Sequence, residues 1–238
     1  MKGIKAVLFD LSDTIISYRP NYTSVYLDRL LSLGIERKNI DIGSIDNTIN
    51  EMICFASYQK WRKEVTADTE DLQRRIDRAL LEKCVNFSMA YNIELEVNKL
   101  SSVPIPVQTP YFMDGVCDLI REISEHYKVG IVSNHIPWMY NFIKHSEIVR
   151  YLSCIVISEM VGLEKPDPEI LRLAFKELSL RSAECCYIGD QATDVVCAKN
   201  AGCKSILIKD KDYVFPEYCR MYCEDIRISS INEVRSLF

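Results

Sequence analysis

The chain has 238 residues, 48% of them hydrophobic and 26% charged, with a formal net charge of -5. That balance is ordinary for a globular protein, and with no Lys/Arg block it argues against a nucleic-acid surface. No apolar stretch approaches a membrane span, and the first apolar run breaks into acid too early for a secretion signal, so a cytoplasmic location is expected.

The elements follow in chain order. Val7, Leu8 and Phe9 form a short apolar run, read as a buried strand of a parallel sheet. The polar cluster Asp10, Ser12, Asp13 and Thr14 follows at once. Ser17-Tyr18-Arg19-Pro20 reads as a breaker that closes this first unit. Three helical patterns come next. The first carries Val25, Leu27, Leu30 and Leu31 and stops near Gly34; the second runs from Ile45 to Trp61. The third starts near Asp68 and carries Leu72, Ile76, Ala79 and Leu80, with Phe87 and Met89 further on. No strand signal interrupts residues 22–91, which read as an all-helical insert. Val103-Pro104-Ile105-Pro106 and Thr109-Pro110 form a stiff extended return.

Beyond it, strands and helices alternate. Strands are expected at 129–132, 154–157, 186–188 and 205–208. Helices are expected at 116–123, 138–143, 170–178 and 192–200, with a strand at 226–228 and a last helix from Asn232. Such alternation predicts an α/β fold: a Rossmann-like parallel sheet with helices on both faces, plus an all-α cap. The core would comprise 1–16 and 105–238, and the helical domain 17–104. Of the ten cysteines, Cys54, Cys84, Cys117, Cys154 and Cys186 lie at apolar positions and read as reduced core residues. Cys219 and Cys223 are spaced to share a helix face, but two thiols do not make a zinc site.

In open α/β sheets ligands bind beyond the carboxyl ends of the strands. Polar residues recur at those predicted ends: Asp10; Ser133 and Asn134; Asp190, with Asp194 four residues on. Lys165 lies in a loop after a further strand. Three carboxylates with a backbone carbonyl suit a hard cation such as Mg²⁺. Serine and lysine offer donors to a dianionic oxygen cluster, and the combination fits phosphoryl transfer.

These residues, in this order, resemble the four motifs of the haloacid dehalogenase-like hydrolase superfamily. Phe9-Asp10-Leu11-Ser12-Asp13-Thr14 is similar to the first, Ser133-Asn134 to the second, Lys165 before Pro166-Asp167-Pro168 to the third, and Gly189-Asp190 through Asp194 to the fourth. The resemblance implies that Asp10 attacks phosphorus and carries a transient aspartyl-phosphate. It implies that Asp10, the Ser12 carbonyl and Asp190 hold Mg²⁺ with Asp194 close by. Ser133 would bond a phosphoryl oxygen, and Lys165 would bridge Asp10 and that group. Ser12, Asp13, Thr14 and Asn134 complete the phosphate-binding set. The helical insert would be the cap that closes over the site, which limits the substrate to a small phosphorylated metabolite.

One position departs from the pattern. Phosphatases of this superfamily usually carry Asp two residues after the nucleophile, as general acid and then base; here it is Ser12. A serine hydroxyl is not ionised near neutral pH and does this work poorly. The first reading is therefore a Mg²⁺-dependent, slow phosphatase. Its rivals are a catalytically weakened phosphate-binding or regulatory protein, and a dehalogenase-type hydrolase, which the acidic fourth motif disfavours. His135, next to Ser133-Asn134, is read as structural or surface rather than as a general base. Arg19 is read as a surface ion pair, and Trp61 as core.

Overall fold

The computed structural model describes residues 1–63, 71–86 and 92–238. The strands are β1 (Ala6–Phe9), β2 (Ile16–Arg19), β3 (Thr109–Phe112), β4 (Lys128–Ser133), β5 (Leu152–Ile157), β6 (Cys185–Gly189), β7 (Lys204–Ile208) and β8 (Ile226–Ile228). The helices are α1 (Tyr22–Ser32), α2 (Ile45–Arg62), α3 (Leu72–Cys84), α4 (Ile93–Ser101), α5 (Val116–Ser124), α6 (Pro137–Lys144), α7 (Ser158–Val161), α8 (Glu169–Leu178) and α9 (Ala192–Ala201).

Six strands form a sheet in the order β5-β4-β1-β6-β7-β8, every pair parallel, with helices on both faces. This is the predicted α/β fold. β1 lies between β4 and β6 and is buried along its whole length, which is why its sequence is an unbroken apolar run. The chain turns to opposite sides of β1 to make β4 and β6, so the switch point of the sheet lies at the end of β1. Helix α5 buries Val116, Leu119, Ile120 and Ile123, one stripe at helical spacing; α8 does the same with Ile170, Leu171, Ala174, Phe175 and Leu178. At Gly130 on β4 a Cβ would lie 2.4 Å from Cys154 Sγ and 2.6 Å from Leu8 Cδ2. Only glycine lets these strands and their side chains pack at this spacing.

The chain divides into two compact units, Met1–Ser17 with Phe112–Phe238, and Tyr18–Tyr111. The second unit is helical. Asn21, Asp71 and Asn92 cap α1, α3 and α4 by accepting from the backbone N–H groups of Ser24, Arg74 and Leu95. Its core gathers Val25, Leu30, Ile45, Ile49, Ile76, Leu80, Val97 and Leu100. Through it runs a buried ion pair: Arg29 Nη1 and Nη2 donate to Asp77 Oδ1 and Oδ2 at 2.7 and 3.1 Å. The guanidinium also reaches the Leu100 and Val103 carbonyls, and Asp77 also accepts from Gln73 and Ser101.

Several expectations change. Ile16–Arg19 is a strand, β2, paired with β3, so of the expected breaker only Pro20 lies outside the strand. The helical unit holds α4 besides the three expected helices. The expected start at Asp68, and Phe87 and Met89, lie outside the described residues. Residues 105–111, expected in the core, group with the helical unit. Cys219 ends a short 3-10 turn and is buried, while Cys223 is exposed beyond it, so they share no helix face. The last element, Ile231–Ser236, is 3-10 rather than α. No helix among the described residues is long and apolar enough to cross a membrane.

Candidate active site

The site is built at the carboxyl ends of the central strands. Asp10 is the first residue past β1, and its N–H continues the ladder by donating to Ile188 O at 2.8 Å. The next residues turn tightly: the N–H groups of Thr14, Ile15 and Ile16 all donate to the Leu11 carbonyl. Asp13 takes a left-handed φ of 54°, a conformation that aspartate accepts more readily than most residues. Ser133 ends β4 and is buried. Asp190 follows β6, and Asp194 stands in the first turn of α9, where its Oδ2 accepts from Gln191 N at 2.8 Å.

Asp10, Asp190 and Asp194 are all buried, and a carboxylate oxygen from each lies within 4.8 Å of the others. Lys165 enters the cluster with its Nζ 2.7 Å from Asp10 Oδ1 and 2.6 Å from Asp194 Oδ1. Burial alone would push that ammonium down. The two carboxylates more than offset this and hold it above the ordinary lysine range. Burial likewise pushes the Asp190 carboxyl well above the usual carboxylate range; Lys209 opposes the rise, and the charges of Asp194, Asp10 and Asp13 add to it. Asp194 is raised by the same burial, with Lys165 pulling it back. Burial and mutual repulsion thus both disfavour the charged carboxylates, a cost that a bound cation would relieve.

Two further observations fit a hard divalent cation here. Asp10 Oδ1 is buried and, although ion-paired to Lys165, receives no aligned hydrogen bond among the described residues. Gly189 leaves the room that Asp194 occupies, since a Cβ there would fall 2.2 Å from Asp194 Oδ2 and 2.4 Å from its Cγ. Gly189→Ala must displace the whole Asp194 carboxylate. It is expected to cost about 1–3 kcal/mol of stability and to shrink the rise in Tm produced by Mg²⁺. Thermal unfolding with and without the ion checks this; a native-like result in both would mean that Asp194 does not need that space.

The remaining candidates have visible partners. Thr14 Oγ1 donates to Asp190 Oδ1 at 3.5 Å. The Asn134 carboxamide clasps the Lys165 peptide, accepting from its N–H at 2.7 Å and donating to its carbonyl at 2.9 Å. Asn134 thus fixes the lysine loop against the end of β4. Ser12 and Asp13 are half-buried in the turn after Asp10. Burial pushes His135 below its ordinary value, against the pull of Asp10 and Glu159. Its Nδ1 accepts from Ile136 N at 3.0 Å, so the neutral ring carries its proton on Nε2 and cannot accept one there.

Two residues of the site escaped the sequence reading. Tyr187, on β6, donates to Val132 O at 2.6 Å and lays its ring 5.5 Å from the Lys165 ammonium, a floor beneath it. Lys209, the first residue past β7, places its Nζ 3.4 Å from Asp190 Oδ2. Tyr187 looked like any strand aromatic. Lys209 obeyed the same strand-end rule that singled out Asp10 and Asp190.

A parallel sheet with a carboxylate cluster and a buried lysine at its switch point defines a hydrolase of the haloacid dehalogenase-like class. The family model of that description matches residues 7–208, and the chain belongs to this family. A 29% identical relative, Rhythmically expressed gene 2 protein of Drosophila melanogaster, aligns over 95% of this chain and 90% of its own length. Glyceraldehyde 3-phosphate phosphatase of Pyrococcus furiosus is 24% identical over 90% of this chain and 84% of its own. Phosphoglycolate phosphatase of Salmonella typhi is 23% identical over 98% and 92%. Among solved structures, a magnesium-bound HAD hydrolase of Bacillus subtilis shares the fold at a TM-score of 0.64 and 20% identity, with 98% of each chain covered.

Proposed function

We propose that the chain is a Mg²⁺-dependent phosphatase of small phosphate esters that works through an aspartyl-phosphate on Asp10. The observation that carries this reading is the Lys165 ammonium bridging Asp10 and Asp194 inside a buried three-carboxylate cluster. Asp10, Asp190 and the Ser12 carbonyl would hold the ion, with Asp194 beside them. Bound there, Mg²⁺ would neutralise charge on the transferring phosphoryl group. Lys165 would orient Asp10 through the 2.7 Å ion pair and offer its ammonium to a phosphoryl oxygen. Ser133 supplies a hydroxyl donor from the neighbouring strand end. An Asp10 oxygen would attack phosphorus as the ester P–O bond breaks, the leaving oxygen taking its proton from solvent water. Water then attacks the aspartyl-phosphate and releases inorganic phosphate and Asp10.

The helical unit is proposed as the cap of this site, with the small-ester limit following from it. The substrates named for the relatives, glyceraldehyde 3-phosphate and phosphoglycolate, are the first esters to try. Release of phosphate from such a panel should require Mg²⁺ and vanish in Asp10→Asn. Mg²⁺ at about a hundred times its Kd should add about 2.7 kcal/mol of stability, a rise in Tm of about 5–10 °C for a chain of this size. Asp190→Asn should lose most of that rise. No hydrolysis of any ester and no thermal response to Mg²⁺ would end the proposal. A thermal response without turnover would favour the weakened, phosphate-binding alternative that Ser12 suggests.

A further inference from the structure

Lys165 carries its charge on a flexible stem, and two things must hold it still. Its side chain is 4% exposed, so the ammonium has lost most of its water. Asn134 fixes the backbone end by clasping the Lys165 peptide. The ammonium end lies 2.7 Å from Asp10 Oδ1, 2.6 Å from Asp194 Oδ1 and 5.5 Å from the centroid of the Tyr187 ring. A third carboxylate in the ring's place would add to the repulsion that already raises Asp190 and Asp194. A π face attracts the cation and brings no net charge.

Tyr187 is itself tied down. From β6 it reaches across β1, the strand between, and its hydroxyl donates to Val132 O on β4 at 2.6 Å. That carbonyl belongs to the peptide that leads into Ser133. Burial, with the charges of Asp10 and Asp194, pushes the hydroxyl well above the usual tyrosine range, so it stays a donor. The contacts close a ring. Tyr187 holds the Val132–Ser133 peptide, Asn134 holds the Lys165 peptide, and the Lys165 ammonium returns to Tyr187. Tyr187 is 1% exposed, so its effect on the chemistry passes through these neighbours.

We propose that Tyr187 is a positioning residue of this site: its ring sets where the Lys165 ammonium stands and its hydroxyl sets the Val132–Ser133 peptide. One buried side chain thereby spaces the two donors meant for the phosphoryl group, the lysine ammonium and the serine hydroxyl. That these donors serve a phosphoryl group rests on the phosphatase reading. The placing of the ammonium does not.

Ring fluorination tests the part played by the ring. Phenylalanine and its analogues with one, two and three ring fluorines, introduced at position 187, keep nearly the same shape while fluorine drains negative charge from the face. Thermal unfolding without metal or ester should show Tm falling in that order, by about 2–5 °C across the series. In a Lys165→Met background the series should be flat. The burst rate from an activated aryl phosphate should fall by about tenfold along the same series. Tyr187→Phe against native tests the hydroxyl. It should slow that burst by about three- to tenfold, and by less than about twofold in a Ser133→Ala background. Fluorinated tyrosines, which keep the hydroxyl, supply the series should Tyr187→Phe not fold. A Tm series that is flat with Lys165 present, or equally steep in Lys165→Met, means that the ring only fills space and overturns the inference, leaving the phosphatase reading as it was. An equal loss from Tyr187→Phe in both serine backgrounds overturns the part assigned to the hydroxyl. A Lys165-dependent Tm series in a chain that hydrolyses no ester supports the placing of the ammonium and counts against the phosphatase reading alone.

Discussion

Ser12→Asp is expected to raise the steady-state hydrolysis of an unactivated phosphate ester by about 10²–10⁴-fold, the usual worth of general acid–base assistance. The native chain should divide the two half-reactions unequally. An activated aryl phosphate leaves without being protonated, so attack by Asp10 should survive. Hydrolysis of the aspartyl-phosphate needs a base to activate water, and a serine hydroxyl two residues past the nucleophile does not serve. His135 does not replace it, because its Nδ1 is held by Ile136 N and its Nε2 carries the proton. The native chain should therefore release a burst of aryl alcohol, stoichiometric with protein, and then turn over slowly. Ser12→Asp should remove the burst and speed the slow phase, and Asp10→Asn should abolish both. Asp13 is a neighbouring carboxylate able to upset this, since its charge is already felt at Asp190. A large loss of steady-state rate in Asp13→Asn would make it the working acid–base. Fast turnover without a burst, untouched by Asp13→Asn, would show that the proton transfer comes from elsewhere.

The second large effect concerns stability. Asp77→Ala should destabilise the helical unit by about 3–5 kcal/mol. Arg29 is 3% exposed and Asp77 fully buried, so deleting the carboxylate strands a guanidinium out of water. The loss extends beyond the pair, because Gln73 and Ser101 also donate to Asp77. Arg29→Met should cost a similar amount by stranding the carboxylate. The double variant Arg29→Met with Asp77→Leu should cost well below the sum, since no buried charge is then left alone. Denaturant titration of the four proteins measures this. Single variants within about 1 kcal/mol of native, or a double variant at the full sum, would mean that the pair acts as two independent solvated groups.

Much of the core was legible because β1, β4 and β6 are apolar runs that stop on a polar residue, and such a stop in a parallel sheet marks the ligand end. β2 was hidden because Tyr18-Arg19-Pro20 carries the chemistry of a turn, and its strand character depends on a partner, β3, far along the chain. α4 has a legible signal, Ile93, Val97 and Leu100 at helical spacing after Asn92, but it is short and runs straight into a proline-rich extended segment. Asn134 illustrates a different limit. Its position at a strand end was readable, but not that both ends of its amide would grip the backbone of Lys165, thirty-one residues away. Charge balance is harder still: Lys209 meets Asp190 only once β6 and β7 lie side by side.

The central place of β1 has a consequence for how the chain is made. Both neighbours of this strand, β4 and β6, are encoded after the entire helical unit. On a ribosome adding about 5–20 residues per second, Val7, Leu8 and Phe9 wait for on the order of ten seconds before a pairing partner emerges. During that interval the helices can settle through contacts close in sequence, while the strand that leads into Asp10 stays solvent-exposed and adhesive. The order of synthesis thus leaves the sheet for last, and the nascent chain is most vulnerable to aggregation before β4 clears the exit tunnel.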